Sequence, residues 1–454
     1  MGLLLDICYF VALLCALPVL LVKSWRTGKY RTDWAARFGR YPANSEFRIQ
    51  NSDLKLKLKR IAIHCVSVGE LLSVRGLVDK LLAADEQLDI VITTTTDTGT
   101  ARARELYPPA GHANHNPRIR TLRYPLDFSF AVESFYDHVR PDLVVLVELE
   151  TWPNFIRVAR GRRIPVAIIN GRLTQRSTKR YLLVRPIVAW MLRKITWFGI
   201  QTQTIATRFE RLGAPRDRMA ILPTLKYDTA DLSDRIPGAA ALAAACGITP
   251  DHRLFVGGST GPGEEDPLLA TYLKLRRPFP ALRLAIAPRK PETVPDVIAA
   301  IELAGLKVVR RTQRPDGATT TSPLTPDEVL LLDTLGELKK LYSLGFGAFV
   351  GRSLVPLGGS DMIEVAAMGK PCCFGPHTHN FAEAVELLLT NDAAATVQNE
   401  EELGRIIERW LADPATAAAT GSKARSVIAQ QRGSTEKYVA QLLAILRNPP
   451  ANTP

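Results

Sequence analysis

Short apolar runs, each followed by a helical pattern, dictate what this chain can fold into. In the first half they fall at 60–67, 88–93, 119–124, 142–147, 166–169 and 197–200. After Pro223 they recur at 254–257, 282–287, 307–310, 329–332, 348–350 and 371–374. Strands apolar on both faces that alternate with helices form parallel, doubly wound sheets. The predicted class is therefore α/β, with two Rossmann-like halves joined near residues 220–230 and a cleft between them. A length of 454 residues agrees with two domains, since single cores rarely grow past roughly 250–300 residues. In such folds ligands bind beyond the carboxyl ends of the strands. The expected division is 1–24, 25–222 and 223–447.

Residues 3–22 are apolar except for Asp6 and a proline at 18. At ~1.5 Å per residue a helix of that length spans about one hydrocarbon thickness. No Lys or Arg precedes the run, whereas Lys23, Arg26, Lys29 and Arg31 follow it. This is the reverse of a signal peptide, and it places the following chain on the cytoplasmic side. The segment is read as a single membrane helix, with Trp25, Tyr30 and Trp34 at headgroup level and 42–58 as a polar linker. Net charge is +13, and it is concentrated. Residues 23–60 hold eleven Lys/Arg against three acids, and 151–209 hold twelve with no acid. Such stretches suit a polyanionic surface, and the apolar N-terminus favours anionic lipid over nucleic acid. Six scattered cysteines give neither a disulfide framework nor a zinc spacing.

Polar residues gather where the strands should end. The first half offers Ser67, Glu70, Thr94, Glu148, Glu150, Trp152 and Asn154, and the second Lys226, the loop 259–265, Arg289, Gly336 and Glu337. Residues 350–369 read as strand, Gly-rich turn and helix, an arrangement that presents backbone N–H groups to an anion. Glu364, one turn into that helix, suits a pair of ribose hydroxyls. Equally, Asp361 and Glu364 suit a capping box with no ligand.

Several motifs in order resemble the 3-deoxy-D-manno-octulosonic acid (Kdo) transferases: Ser67-Val-Gly-Glu70, Glu148-Leu-Glu-Thr-Trp-Pro-Asn154, Leu225-Lys-Tyr-Asp228, Asp333-Thr-Leu-Gly-Glu337 and Gly375-Pro-His-Thr-His-Asn-Phe381. The resemblance implies a GT-B glycosyltransferase of lipopolysaccharide biosynthesis at the inner membrane. It would invert at the anomeric carbon, use CMP-Kdo as donor and a lipid A precursor as acceptor, and need no metal or other cofactor. It makes the first half acceptor-binding and the second CMP-sugar-binding. It assigns Glu70 as general base and gives Glu148 and Lys226 to transition-state stabilisation. CMP contacts fall on Pro288, Arg289, Leu335, Gly336, Glu337, Asp361, Met362, Ile363 and Glu364. A carboxylate at a helix N-terminus is expected to have a lowered pKa. The chain departs from the family at Gly261, Lys290 and Ser360-Asp-Met362, which bear on the donor side. Two other readings fit the fold or the charge: a nucleotide-sugar 2-epimerase, and a non-catalytic membrane-tethered polyanion binder.

Overall fold

Val, Leu and Ile on both faces of a strand leave no side for water, and the central strands here are buried along most of their length. The segment Leu143–Val147 (Leu-Val-Val-Leu-Val) has no exposed position. The computed structural model describes residues 2–27, 32–41, 58–233, 236–317 and 322–449. It separates into two units, Met1–Thr229 with Arg432–Pro454, and Ala230–Gln431.

The first unit holds strands β1 (Lys59–Cys65), β2 (Leu88–Thr94), β3 (Ile119–Arg123), β4 (Leu143–Val147), β5 (Val166–Gly171), β6 (Trp197–Ile200) and β7 (Met219–Ile221). They pair in the order β3-β2-β1-β4-β5-β6-β7, all parallel. The second unit holds β8 (Arg253–Thr260), β9 (Leu282–Pro288), β10 (Lys307–Arg310), β11 (Glu328–Leu331), β12 (Gly347–Val350), β13 (Cys372–Phe374) and β14 (Ala395–Thr396). Their order is β10-β11-β9-β8-β12-β13-β14, again all parallel. The order reverses between β1 and β4 in one sheet and between β8 and β12 in the other. At such switch points the following loops diverge and leave a crevice.

The last helix, Ser434–Arg447, belongs to the first unit. Leu442, Leu443, Ile445 and Leu446 enter the core formed by Ile61, Ile63 and Val145. The Tyr438 hydroxyl accepts from the Asn170 N–H at 3.0 Å. Its ring lies where any side chain at Gly199 would clash. Asp228 fastens the start of this helix, accepting from the Gly433 and Thr435 N–H groups at 2.6 Å each. The expected division had assigned this segment to the second half. Its apolar spacing marks a helix but not the sheet that it covers.

The apolar N-terminus forms one helix, Gly2–Thr27. Among the described residues, however, no helix is long and apolar enough to cross a membrane. Asp6 shows a different use for its early turns. Its carboxylate accepts from the Ser129 N–H at 2.8 Å and from Asn154 Nδ2 at 3.0 Å, and Tyr9 packs edge-on against Phe128. The carboxylate caps the helix Ser129–Val139, whose own N-cap Phe128 has no side-chain acceptor. Tyr30, Lys29, Arg31 and the linker 42–57 lie outside the described residues.

Candidate active site

In the first unit the loops after β1 and β4 flank the switch point, and they carry Glu70 and Glu148. Ser67 caps the helix Val68–Ser73, its Oγ accepting from the Glu70 N–H. Glu70 reaches back: its Oε1 accepts from Ser67 Oγ at 2.9 Å and its Oε2 from the Val66 N–H at 2.7 Å. This reciprocal cap locks the carboxylate in one pose at the end of β1.

The expected lowering of its pKa is overturned. Burial pushes the Glu70 carboxyl up to about 7, the Val66 N–H opposes this, and the charge of Glu148 adds to the rise. Desolvation outweighs the dipole of a helix only six residues long. A carboxyl titrating near neutrality is a far better base than one held in the ordinary carboxylate range.

Glu148 sits in the left-handed region, φ 63°, as its N–H donates to the Ile169 carbonyl at 3.0 Å. A side chain with Cβ is strained there. Glu150 accepts from Trp152 Nε1 at 3.3 Å, and burial raises its pKa too, with Glu148 adding to the rise. The third expected residue, Lys226, opens the helix Lys226–Thr229. Its loop is held by Asn170 (φ 52°), whose Oδ1 accepts from the Leu225 N–H at 3.3 Å and from Gln201 Nε2 at 3.0 Å. Lys226 was expected in the second half, but the structure places it in the first unit, which also holds Glu70 and Glu148.

In the second unit the expected donor residues follow three strands, β9, β11 and β12. Pro288 ends β9, and the Arg289 N–H donates to the Thr260 carbonyl at 3.0 Å, leaving its exposed side chain beside the loop after β8. Beyond β11, Leu335 is 81% exposed and Gly336 has φ 83°. The Glu337 carboxylate, in contrast, is fully engaged. Arg311 donates to it through Nε and Nη2, both at 2.9 Å, and Thr334 Oγ1 and Lys340 Nζ add further bonds. Arg311 holds its pKa down at about 2. At this position the backbone faces outward, and the carboxylate is half of an ion pair.

After β12 the turn passes Gly358 (φ 90°) and Gly359 (φ 80°) into the helix Ile363–Ala367. Its N-cap is Met362, not Asp361. Asp361 Oδ1 accepts from the Ile363 N–H at 3.0 Å, and Glu364 Oε1 lies 4.0 Å from Lys339 Nζ. Ser360, at a departure from the family pattern, donates from Oγ to the Ser259 carbonyl at 3.3 Å. That bond joins the two loops of the switch point.

At the start of this turn, well before the helix end that was expected to receive an anion, a run of backbone N–H groups is already occupied by a side chain. The N–H groups of Arg352, Ser353 and Leu354 all point at Glu264, a fully buried carboxylate from the loop after β8. In the sequence Glu264 stood out as one of two adjacent acids matching the family's pattern in that loop, with nothing to mark the partners it meets here. Among the described residues no group of three or more His, Cys, Asp or Glu side chains could hold a metal.

The family model for 3-deoxy-D-manno-octulosonic-acid transferase (kdotransferase) matches residues 32–229. A 3-deoxy-D-manno-octulosonic acid transferase of Haemophilus influenzae is 30% identical over 428 residues, 94% of each chain. The chain belongs to the Kdo transferase family. A second member, from Bordetella pertussis, is 28% identical over 96% of this chain and 98% of its own. A solved UDP-GlcNAc 2-epimerase of Neisseria meningitidis superposes with a TM-score of 0.53, covering 85% of this chain and all of that one at 13% identity. At that identity the likeness is one of fold, that of GT-B enzymes with two Rossmann-like domains. A Kdo transferase is a glycosyltransferase.

Proposed function

We propose that this chain moves Kdo from CMP-Kdo to a lipid A precursor, with inversion at the anomeric carbon. The observation that carries the chemistry is Glu70, fixed by Ser67 and Val66 and pushed up to about 7 by burial. An acceptor sugar hydroxyl attacks the ketosidic carbon of the donor and gives its proton to a Glu70 oxygen. As the new C–O bond forms, the bond from that carbon to the CMP phosphate breaks, and the electron pair leaves with the phosphate. Lys226 and Arg289 carry the positive charge suited to that phosphate, and Glu148 the negative charge suited to a cationic sugar carbon. CMP leaves as a monophosphate, a smaller charge than a diphosphate, so this scheme uses no metal. Leu335, the Gly336 backbone, Asp361, Met362, Ile363 and Glu364 form the proposed nucleotide contacts.

We place the protein at the cytoplasmic face of the inner membrane. Exposed Ile7, Phe10, Val11 and Leu14 on the first helix support this, as do twelve basic residues without an acid in 151–209. Both suit an anionic lipid surface rather than nucleic acid. A single-pass anchor has the apolar run 3–22 as its support, and part of its basic flank lies outside the described residues. The test is incubation with CMP-Kdo and a lipid A precursor, followed by mass spectrometry of the lipid. A mass increase of one or more Kdo units is expected. Turnover of sugar nucleotide without lipid would instead favour the epimerase reading.

A further inference from the structure

A carboxylate removed from water needs compensation from charge or from hydrogen-bond donors. Glu264 is 0% exposed, and the hydrogen bonds to its carboxylate come from backbone amides. Oε2 accepts from Gly261 N–H at 2.8 Å and Arg352 N–H at 2.5 Å, and Oε1 from Ser353 N–H at 2.7 Å and Leu354 N–H at 2.8 Å. Three of these donors are consecutive, which is the anion-receiving concavity that a phosphate often fills. They belong to the loop after β12, 88 to 90 residues away, and not to the helix Glu265–Leu275 that Glu264 precedes.

The clamp continues into the turn that carries the nucleotide contacts. Ser353 Oγ donates to the Val350 carbonyl at 2.6 Å and accepts from the Gly375 N–H at 2.8 Å. The Arg352 carbonyl accepts from the Gly359 N–H at 2.7 Å. A Cβ on Gly351 would lie 2.6 Å from Thr260 Cα and 2.9 Å from Glu264 Oε2, so the two loops meet backbone to backbone.

We propose that Glu264 is a positioning residue for the donor. It takes the place of an anion in the 352–354 concavity and so holds the turn 351–359, and with it Asp361 to Glu364, in the form that receives the nucleotide. The donor phosphate is then bound outside this concavity. The inference rests on the transferase reading given above.

The test uses the full chain with Glu264→Ala and Glu264→Gln, read by donor KM, acceptor KM, kcat, CMP affinity and melting temperature. Removal of the carboxylate is expected to raise donor KM and the CMP Kd by about tenfold or more, the equivalent of ~1.4 kcal/mol. Acceptor KM is expected to change less than about twofold, because its determinants lie elsewhere. Formate has the missing carboxylate's shape. Added to Glu264→Ala, it is expected to restore much of the donor affinity while leaving the wild type unchanged. Glu264→Gln keeps the shape but turns an NH2 toward N–H donors, so it is expected to lose donor affinity without formate rescue. It decides the matter if the alanine variant does not fold. Donor KM within twofold of wild type in a soluble variant overturns the proposal. So does a parallel rise of both KM values that formate does not touch, the mark of a merely structural role. Wild-type protein that neither binds CMP nor transfers sugar would overturn the transferase reading itself.

Discussion

Glu70 carries two roles that pull its chemistry in opposite directions. Its bonds from Val66 and Ser67 favour the ionised form, whereas burial favours the neutral one, and burial wins. As a base it must be ionised, so kcat/KM is expected to rise with pH through about 7, which a pH–rate profile reads directly. A flat profile between pH 6 and 8 would contradict the assignment. Glu70→Gln is expected to lower kcat by about 10²–10⁴-fold, the usual range for a positioned base, with CMP affinity unchanged in calorimetry. At Glu148 the left-handed backbone sets function against stability. Glycine there removes roughly 1 kcal/mol of strain. Glu148→Gly should therefore melt a few degrees higher, about 2–4 °C, while transfer collapses. A lower melting temperature would mean that the carboxylate makes a stabilising contact.

At the level of elements, the ion pair of Arg311 with Glu337 ties the turn after β10 to the loop after β11. Both side chains are mostly buried, at 6% and 13% exposure. Removing Arg311 takes two hydrogen bonds from Glu337 and leaves it with Lys340 and Thr334, at a cost of about 3 kcal/mol, the low end for a broken buried pair. Arg311→Met is expected to destabilise the second unit by that order in urea denaturation. The Glu337 carboxyl lies below its ordinary value, so its stabilisation is complete above about 4.5 and is lost as pH falls toward 2. The variant should lack this acid-dependent loss.

The same loop shows what sequence could and could not reveal. β1 to β6 and β8 to β13 were legible because short apolar runs, each bounded by turn residues and followed by a helical pattern, have few alternatives. β7 and β14 are short edge strands with no fully buried position, so they lack that apolar signal. Glu337 stood in the right motif, but its partner lies 26 residues earlier and carries no local mark. The Glu70 pKa was misjudged for a related reason: the dipole is local and readable, whereas burial is tertiary. Asp6 looked like a blemish in an apolar run, and its use as a cap for Ser129 could not be read 123 residues away.

On the scale of the whole molecule, the first unit is built from both ends of the chain and the second from its middle. Tyr438, Leu442 and Leu446 are fully or almost fully buried in the first core. Deleting everything after Gln431 is therefore expected to remove or sharply lower the melting transition of the first unit and to leave that of the second nearly unchanged. Calorimetry of the full and truncated chains distinguishes this from a dispensable tail, which would change neither. The interruption also has a consequence for biosynthesis. Residues 230–431 leave the ribosome between the two parts of the first core, and at ~5–20 residues per second their synthesis takes roughly 10–40 s. For that time Ile61, Ile63 and Val145 lack their C-terminal cover. The second unit, first to be whole, has time to fold while the first waits unfinished and in need of protection from aggregation.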